Sequence, residues 1–150
     1  MQTQSLKVEI PKGFEFESFD SKSSEIRLKE KPKGMPTTID ELLEQNGIGL
    51  AEFDEKCKDL PEDERAYIIL KLLAKTLNQG WTPNWDKASE YKYFPWFDLR
   101  GGSSGFRFYV CDHWGSASGV GSRLCYKSRE LAEHAGKYFV ETYRDFMVIK

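Results

Sequence analysis

Residues 59–80, DLPEDERAYIILKLLAKTLNQG, leave the backbone almost one choice. Ala66, Ile69, Leu70, Leu73 and Leu77 recur at the three- and four-residue spacing of a single helical face. Asp59 with Glu62 reads as a capping box, Pro61 suits a first turn where its missing N–H costs nothing, and Asn78 with Gly80 supplies the stop. A helix with such a stripe must bury it, so the remainder of the chain has to furnish a second layer.

Two shorter helices precede it. Thr38 and Glu41 form a second capping box ahead of Leu42 and Leu43, and Asn46-Gly47 closes that helix; residues 51–57 form the next. Further upstream, Phe14 and Phe16 alternate with Glu15 and Glu17, and Ile26 and Leu28 alternate with Arg27 and Lys29. With the polar run 20–24 as its turn, the segment 6–31 reads as a β-hairpin whose glutamates face Arg27 and Lys29. Residues 31–36, holding Pro32, Gly34 and Pro36, read as a connector.

At Trp81 the composition changes. Residues 81–114 hold 11 of the 21 aromatic side chains, including all four tryptophans. After a loop to about Glu90, strands are expected at 92–99, 105–112 and 120–127, joined by Gly/Ser-rich turns as an antiparallel meander. Pro95 cannot donate to a ladder, which marks the first strand as an edge or as broken there. Ser128 then caps a helix from about 129 to 146, with Leu131, Ala135, Phe139 or Tyr138, Thr142 and Phe146 inward. The expected fold is therefore α+β: an N-terminal hairpin (6–31), a helical middle (38–79), an aromatic-rich three-stranded sheet (81–127) and a C-terminal helix (128–147) packed on it, in one domain of 150 residues.

The aromatic load argues against disorder, and no apolar run approaches the roughly 18 residues that span a bilayer. The N-terminus MQTQSLKVEIPKG is polar and unlike a leader, so a cytoplasmic location without membrane contact is expected. The net charge is −2, with 12 basic and 16 acidic side chains in residues 1–80 and 6 and 4 in residues 81–127. This balance disfavours gross affinity for nucleic acid but permits a local basic patch. Cys57, Cys111 and Cys125 are odd in number and widely spaced, as reduced thiols are.

Strict alternation puts Phe106, Phe108 and Val110 on one side of the second strand, under the C-terminal helix, and Arg107, Tyr109 and Cys111 on the other. On the third strand, Arg123 and Lys127 join that second side. Arg107, Tyr109, Arg123 and Lys127 would then form a platform with a stacking surface for bases and charge for phosphates, as single-stranded nucleic acid requires. The alternative is a solvated or partner-covered face. Trp81, Trp85 and Trp96, near Asn84, Asp86 and Asp98, suit either a stacking groove or the core.

Other chemistry is poorly supported by spacing. Cys111, His113 and Cys125, with Asp112 or His134, do not pair as structural zinc ligands do, so no metal or other cofactor is expected. Cys111 with His113, or Ser103 with His113 and Asp112, lacks a nucleophile elbow. The glycine-rich runs 101–105 and 115–122 lie between expected strands and do not open a helix, so they read as hairpin loops and not as phosphate cradles.

GWTPNWDKASEYKYFPWFD (80–98), VGSRLCYKSRELAEHAGKYF (120–139) and VEIPKGFEFESFDSKSSEIRLKEK (8–31) resemble a family of small uncharacterised proteins encoded by prophages and integrated mobile elements of gut bacteria. The resemblance implies a bacterial, intracellular, phage-related setting and brings no catalytic or ligand-binding residue with it. The expectation is a non-enzymatic binding or accessory protein contacting single-stranded nucleic acid or a phage or mobile-element protein through the aromatic and basic sheet face. A structural or assembly component is the alternative, and an enzyme acting on a small molecule the third reading.

Overall fold

A computed structural model describes residues 8–11, 14–30 and 34–150. The chain divides into two compact units, Met1–Gly34 and Met35–Lys150.

The first unit is the expected hairpin, β1 (Phe14–Asp20) paired antiparallel with β2 (Glu25–Glu30). Leu6, Lys7 and Lys31, which the sequence places in it, and Pro32 of the connector lie outside the described residues. The Asp20 carboxylate accepts the Lys22 N–H at 2.8 Å and braces the turn. Glu15 stands opposite Lys29 as expected, but a one-residue bulge between Phe16 and Ser18 puts Ser18, not a glutamate, opposite Arg27. The same bulge brings Phe19 opposite Ile26, on the side of the ribbon that carries Phe16 and Leu28.

The second unit opens with α1 (Ile39–Gln45), α2 (Leu50–Cys57) and α3 (Glu62–Asn78). Thr38 Oγ1 accepts the Glu41 N–H at 3.2 Å, while the Glu41 carboxylate reaches back to Thr37, accepting its N–H at 2.7 Å and its hydroxyl at 2.8 Å. The capping box thus closes one residue earlier than its sequence form. Asp59 caps nothing: the N-cap of α3 is Pro61, and Glu62, Asp63 and Glu64 complement the helix dipole in the first turn. The left-handed stop falls on Gln79 (φ 49°) and Gly80 (φ 83°).

Two strands follow, β3 (Lys92–Asp98) and β4 (Arg107–Trp114), antiparallel and joined through a single helical turn, α4 (Gly102–Gly105). The expected third strand does not form. Residues 122–124 make a 3-10 turn, Leu124, Cys125 and Tyr126 are buried in succession, and the segment contributes one isolated bridge, Tyr126 to Tyr93. That bridge lies on the edge of β3 away from β4, whereas a meander would have placed the segment beside β4. Asn78 explains the arrangement: its Nδ2 donates to the Cys125 carbonyl at 2.9 Å and its Oδ1 accepts the Lys127 N–H at 3.0 Å, which occupies backbone groups a ladder would use. Pro95 shares the outer edge with Tyr93, so its missing N–H costs no bond to β4.

The C-terminal helix is two helices, α5 (Arg129–Tyr138), capped by Ser128, and α6 (Val140–Met147), with a bend at Phe139. The bend lets α5 lie across β3 and β4 while α6 runs along α3. Phe139 is buried and Tyr138 exposed, and Phe146 stacks on Tyr67 at 5.5 Å. The core joins the α3 stripe to Leu124, Tyr126, Ala132, Ala135 and Phe139, with the Tyr126 and Tyr143 hydroxyls 3.0 Å apart. Among the described residues no helix is long and apolar enough to cross a membrane.

Gly136 sets how closely α5 approaches the sheet. A Cβ there would stand 2.7 Å from Phe108 Cε2 and 2.8 Å from Pro95 Cβ. Gly136→Ala is therefore expected to destabilise by about 1–2 kcal/mol in urea unfolding, despite the roughly 1 kcal/mol that alanine gains over glycine inside a helix. A stabilised variant would show that the helix has room to spare.

Candidate binding surface

The register of β3 and β4 decides which side chains each face carries. Tyr109 is an extra residue between the Trp96–Val110 and Phe97–Phe108 pairs, and this bulge resets the alternation. Phe108 and Cys111 therefore share the face packed under α5, and Val110 moves to the outer face, the reverse of the strict-alternation expectation. The outer face holds Lys92, Phe94 and Trp96 on β3 opposite Trp114, Asp112 and Val110 on β4. Trp114 stands four residue steps along the strand from Val110, a span of about 13 Å.

Two of these six are buried. Lys92 is inaccessible: its ammonium donates to the Asn84 carbonyl at 2.5 Å and the Lys87 carbonyl at 3.1 Å, stands 3.6 Å from Glu90 Oε1 and lies 5.3 Å from the centre of the Trp85 ring. One lysine thereby fastens the whole 84–90 loop over the end of the sheet. Phe94 is buried with its ring 5.9 Å from that of Trp114. Trp96, Val110 and Trp114 remain 45, 42 and 43% exposed, and Tyr109 reaches 68%. Trp81 and Trp85 are half-buried, and the Trp85 ring covers the Lys92 ammonium at the end of the sheet.

At the far end of the ribbon two arginines share one carboxylate. Arg100 donates to both carboxylate oxygens of Asp98, at 2.9 and 2.7 Å, and Arg107 donates to the same group. The Arg100 side chain first, then its backbone N–H and the Arg107 charge, hold the Asp98 carboxyl well below the usual carboxylate range. Arg123 lies in the 3-10 turn and Lys127 follows Tyr126, both exposed. Their segment borders β3, so β3 stands between it and β4, and the strand platform of Arg107, Tyr109, Arg123 and Lys127 is not assembled.

The free edge of β4 is partly closed. The Cys111 carbonyl accepts Arg129 Nη1 at 2.7 Å, and the His113 N–H is taken by the Asp112 carboxylate at 2.8 Å. With two outward backbone groups occupied and a bulge at Tyr109, the edge is poorly suited to pairing with another strand. Contact through this ribbon must use its face.

The same register separates Cys111 from Asp112, while His113 Nδ1 stays 3.7 Å from the Asp112 carboxylate. Cys111 faces inward and Asp112 outward, and His113 packs between Tyr91 and Tyr93 at 4.2 and 5.4 Å. Burial pushes the Cys111 and Cys125 thiols up to about 11, which keeps both protonated at neutral pH. Among the described residues no group of three His, Cys, Asp or Glu side chains is placed to hold a metal ion. The 101–105 run is the α4 turn, and Gly115 allows close packing, since a Cβ there would lie 2.7 Å from the Ala88 carbonyl oxygen.

The chain matches no family model, no curated protein and no solved structure. The sequence singles out Arg107, Tyr109 and Trp96 as contact residues, leaves Trp114 unassigned and places Val110 under the helix. Both needed the bulge: Val110 and Trp114 share one phase of the alternation, and Trp114 also lies beyond the strand expected at 105–112. Lys92 carried no signal, because a lysine within a strand reads as a solvent-facing residue until the carbonyls around it are known.

Proposed function

We propose that the protein is a non-enzymatic binding protein that engages a protein partner through the outer face of β3 and β4. The observation that carries the reading is the exposure of Trp96, Val110 and Trp114 on one face around the buried Phe94 ring. Tryptophan, tyrosine and arginine dominate the energetic centres of protein interfaces, and a contiguous apolar face is costly to leave in water. The electrostatics favour protein over nucleic acid. Arg100 and Arg107 are committed to Asp98, and the exposed Asp112 carboxylate sits in the middle of the face, where it repels phosphates. The partner surface is then a largely uncharged pocket or ridge that accepts indole rings.

The double variant Trp96→Arg with Trp114→Arg tests this. Recovered from its native cells, the tagged wild-type chain is expected to elute with a discrete partner that the variant lacks, while both unfold at the same denaturant concentration. An unchanged elution profile would overturn the reading. So would salt-sensitive binding of an oligothymidine to the wild type that is lost in Tyr109→Ala, since that places nucleic acid on the face.

A further inference from the structure

The helical layer carries a groove of its own, apart from the sheet. A cavity of about 460 Å³ runs between α2 and α3. Its floor is Phe53 and Cys57, both buried, and its walls are the half-buried Ile48, Ile68 and Leu72. On α3 the residues Ile68, Lys71, Leu72 and Lys75 follow the i, i+3, i+4, i+7 rule, which makes a second stripe distinct from the one that enters the core. The stripe extends over two turns, about 10 Å.

Cations rim this groove on both walls. Lys71 and Lys75 stand on α3 one turn apart, and Lys56 stands on α2. Among the described residues neither Lys71 nor Lys75 meets a carboxylate; Lys71 lies 4.7 Å from the centre of the Tyr67 ring instead. Lys56 pairs with Glu52 at 2.9 Å, an exposed i, i+4 contact that is readily exchanged. The groove therefore offers an apolar trough flanked by ammonium groups.

We propose that this groove receives a short amphipathic helix of a partner protein, with apolar anchors at i, i+3 or i+4, and i+7 and acidic residues on both flanks. Three features select that occupant. The groove walls are helices whose backbone groups are bonded internally, so an incoming segment finds no edge to pair with and must satisfy its own backbone, as a helix does. The two-turn length matches one run of three anchors. Lysines on opposite walls call for several carboxylates spread along the ligand, whereas a single-headed anionic lipid would satisfy only one. The site is independent of the sheet face and of the function proposed for it.

The probe is an 18-residue fluorescein-labelled peptide with leucines at the three anchor spacings and glutamates flanking them, compared with the same peptide carrying lysines for glutamates. Fluorescence anisotropy is expected to show at least tenfold tighter binding of the acidic peptide to the intact chain, weakening as salt rises. Lys71→Glu with Lys75→Glu is expected to reverse the preference. Equal binding of both peptides by the wild type overturns the proposal without any variant. So does an acidic-peptide affinity that Lys71→Glu with Lys75→Glu leaves unchanged while circular dichroism shows the fold intact, or displacement of the acidic peptide by palmitate at stoichiometric concentration.

Discussion

Lys92→Met is expected to destabilise the protein by about 2–3 kcal/mol and to shift tryptophan emission to the red. The methionine keeps most of the aliphatic stem but removes the ammonium that serves the Asn84 and Lys87 carbonyls and stands beside Glu90. Hydrogen bonds to a charged group are worth roughly 1.5–3 kcal/mol each, and part of that loss is offset because a buried charge no longer has to be desolvated. The 84–90 loop then loses its tie to β3, and Trp85, which the ammonium meets face on, becomes more exposed to water. Guanidinium unfolding followed by both fluorescence and circular dichroism measures the two effects together. An unchanged midpoint with unchanged emission would mean that the loop is held by other contacts.

Asn78→Leu is expected to cost about 2–4 kcal/mol. Leucine fills the volume but strands the Cys125 carbonyl and the Lys127 N–H, each of which costs roughly 1–3 kcal/mol when buried without a partner. The loss should be local at first: amides of residues 122–127 exchange with solvent at lower free energies than those of α3, which keeps its own helical bonds. Hydrogen exchange resolved by residue is the appropriate measurement. Equal loss of protection across α3 and 122–127 would show that the segment and the helix open only as one unit.

These two residues also mark the boundary of what the chain discloses before its structure is known. The helices were legible because their signals are local: Thr38 lies three residues before Glu41, and the α3 stripe lies within a single run. The existence and pairing of β3 and β4 followed from alternation and a glycine-rich link. What failed is what depends on one extra residue or on distant groups. The bulge at Tyr109 exchanged the faces of Val110 and Cys111, since alternation has no memory beyond the next insertion. The segment 120–127 has strand composition, yet an asparagine on a helix claimed its carbonyl and amide. The supposed platform lost Arg123 and Lys127 because their segment is held at the outer edge of β3, away from β4. The bend at Phe139 likewise reflects the need of α5 and α6 to cover different neighbours, which no local pattern in residues 129–146 announces.

Asn78 bridges the backbone of Cys125 and Lys127 across sequence separations of 47 and 49 residues, and its side-chain amide stands where a neighbouring strand would run. Order in time follows from this. Closing so long a loop is entropically costly, and the attachment point exists only once the end of α3 has formed and the β3–β4 ribbon has come alongside it. The segment around Tyr126 is thus a late arrival in folding and an early departure in unfolding. A substitution at Asn78 is expected to speed unfolding while leaving the folding rate nearly untouched.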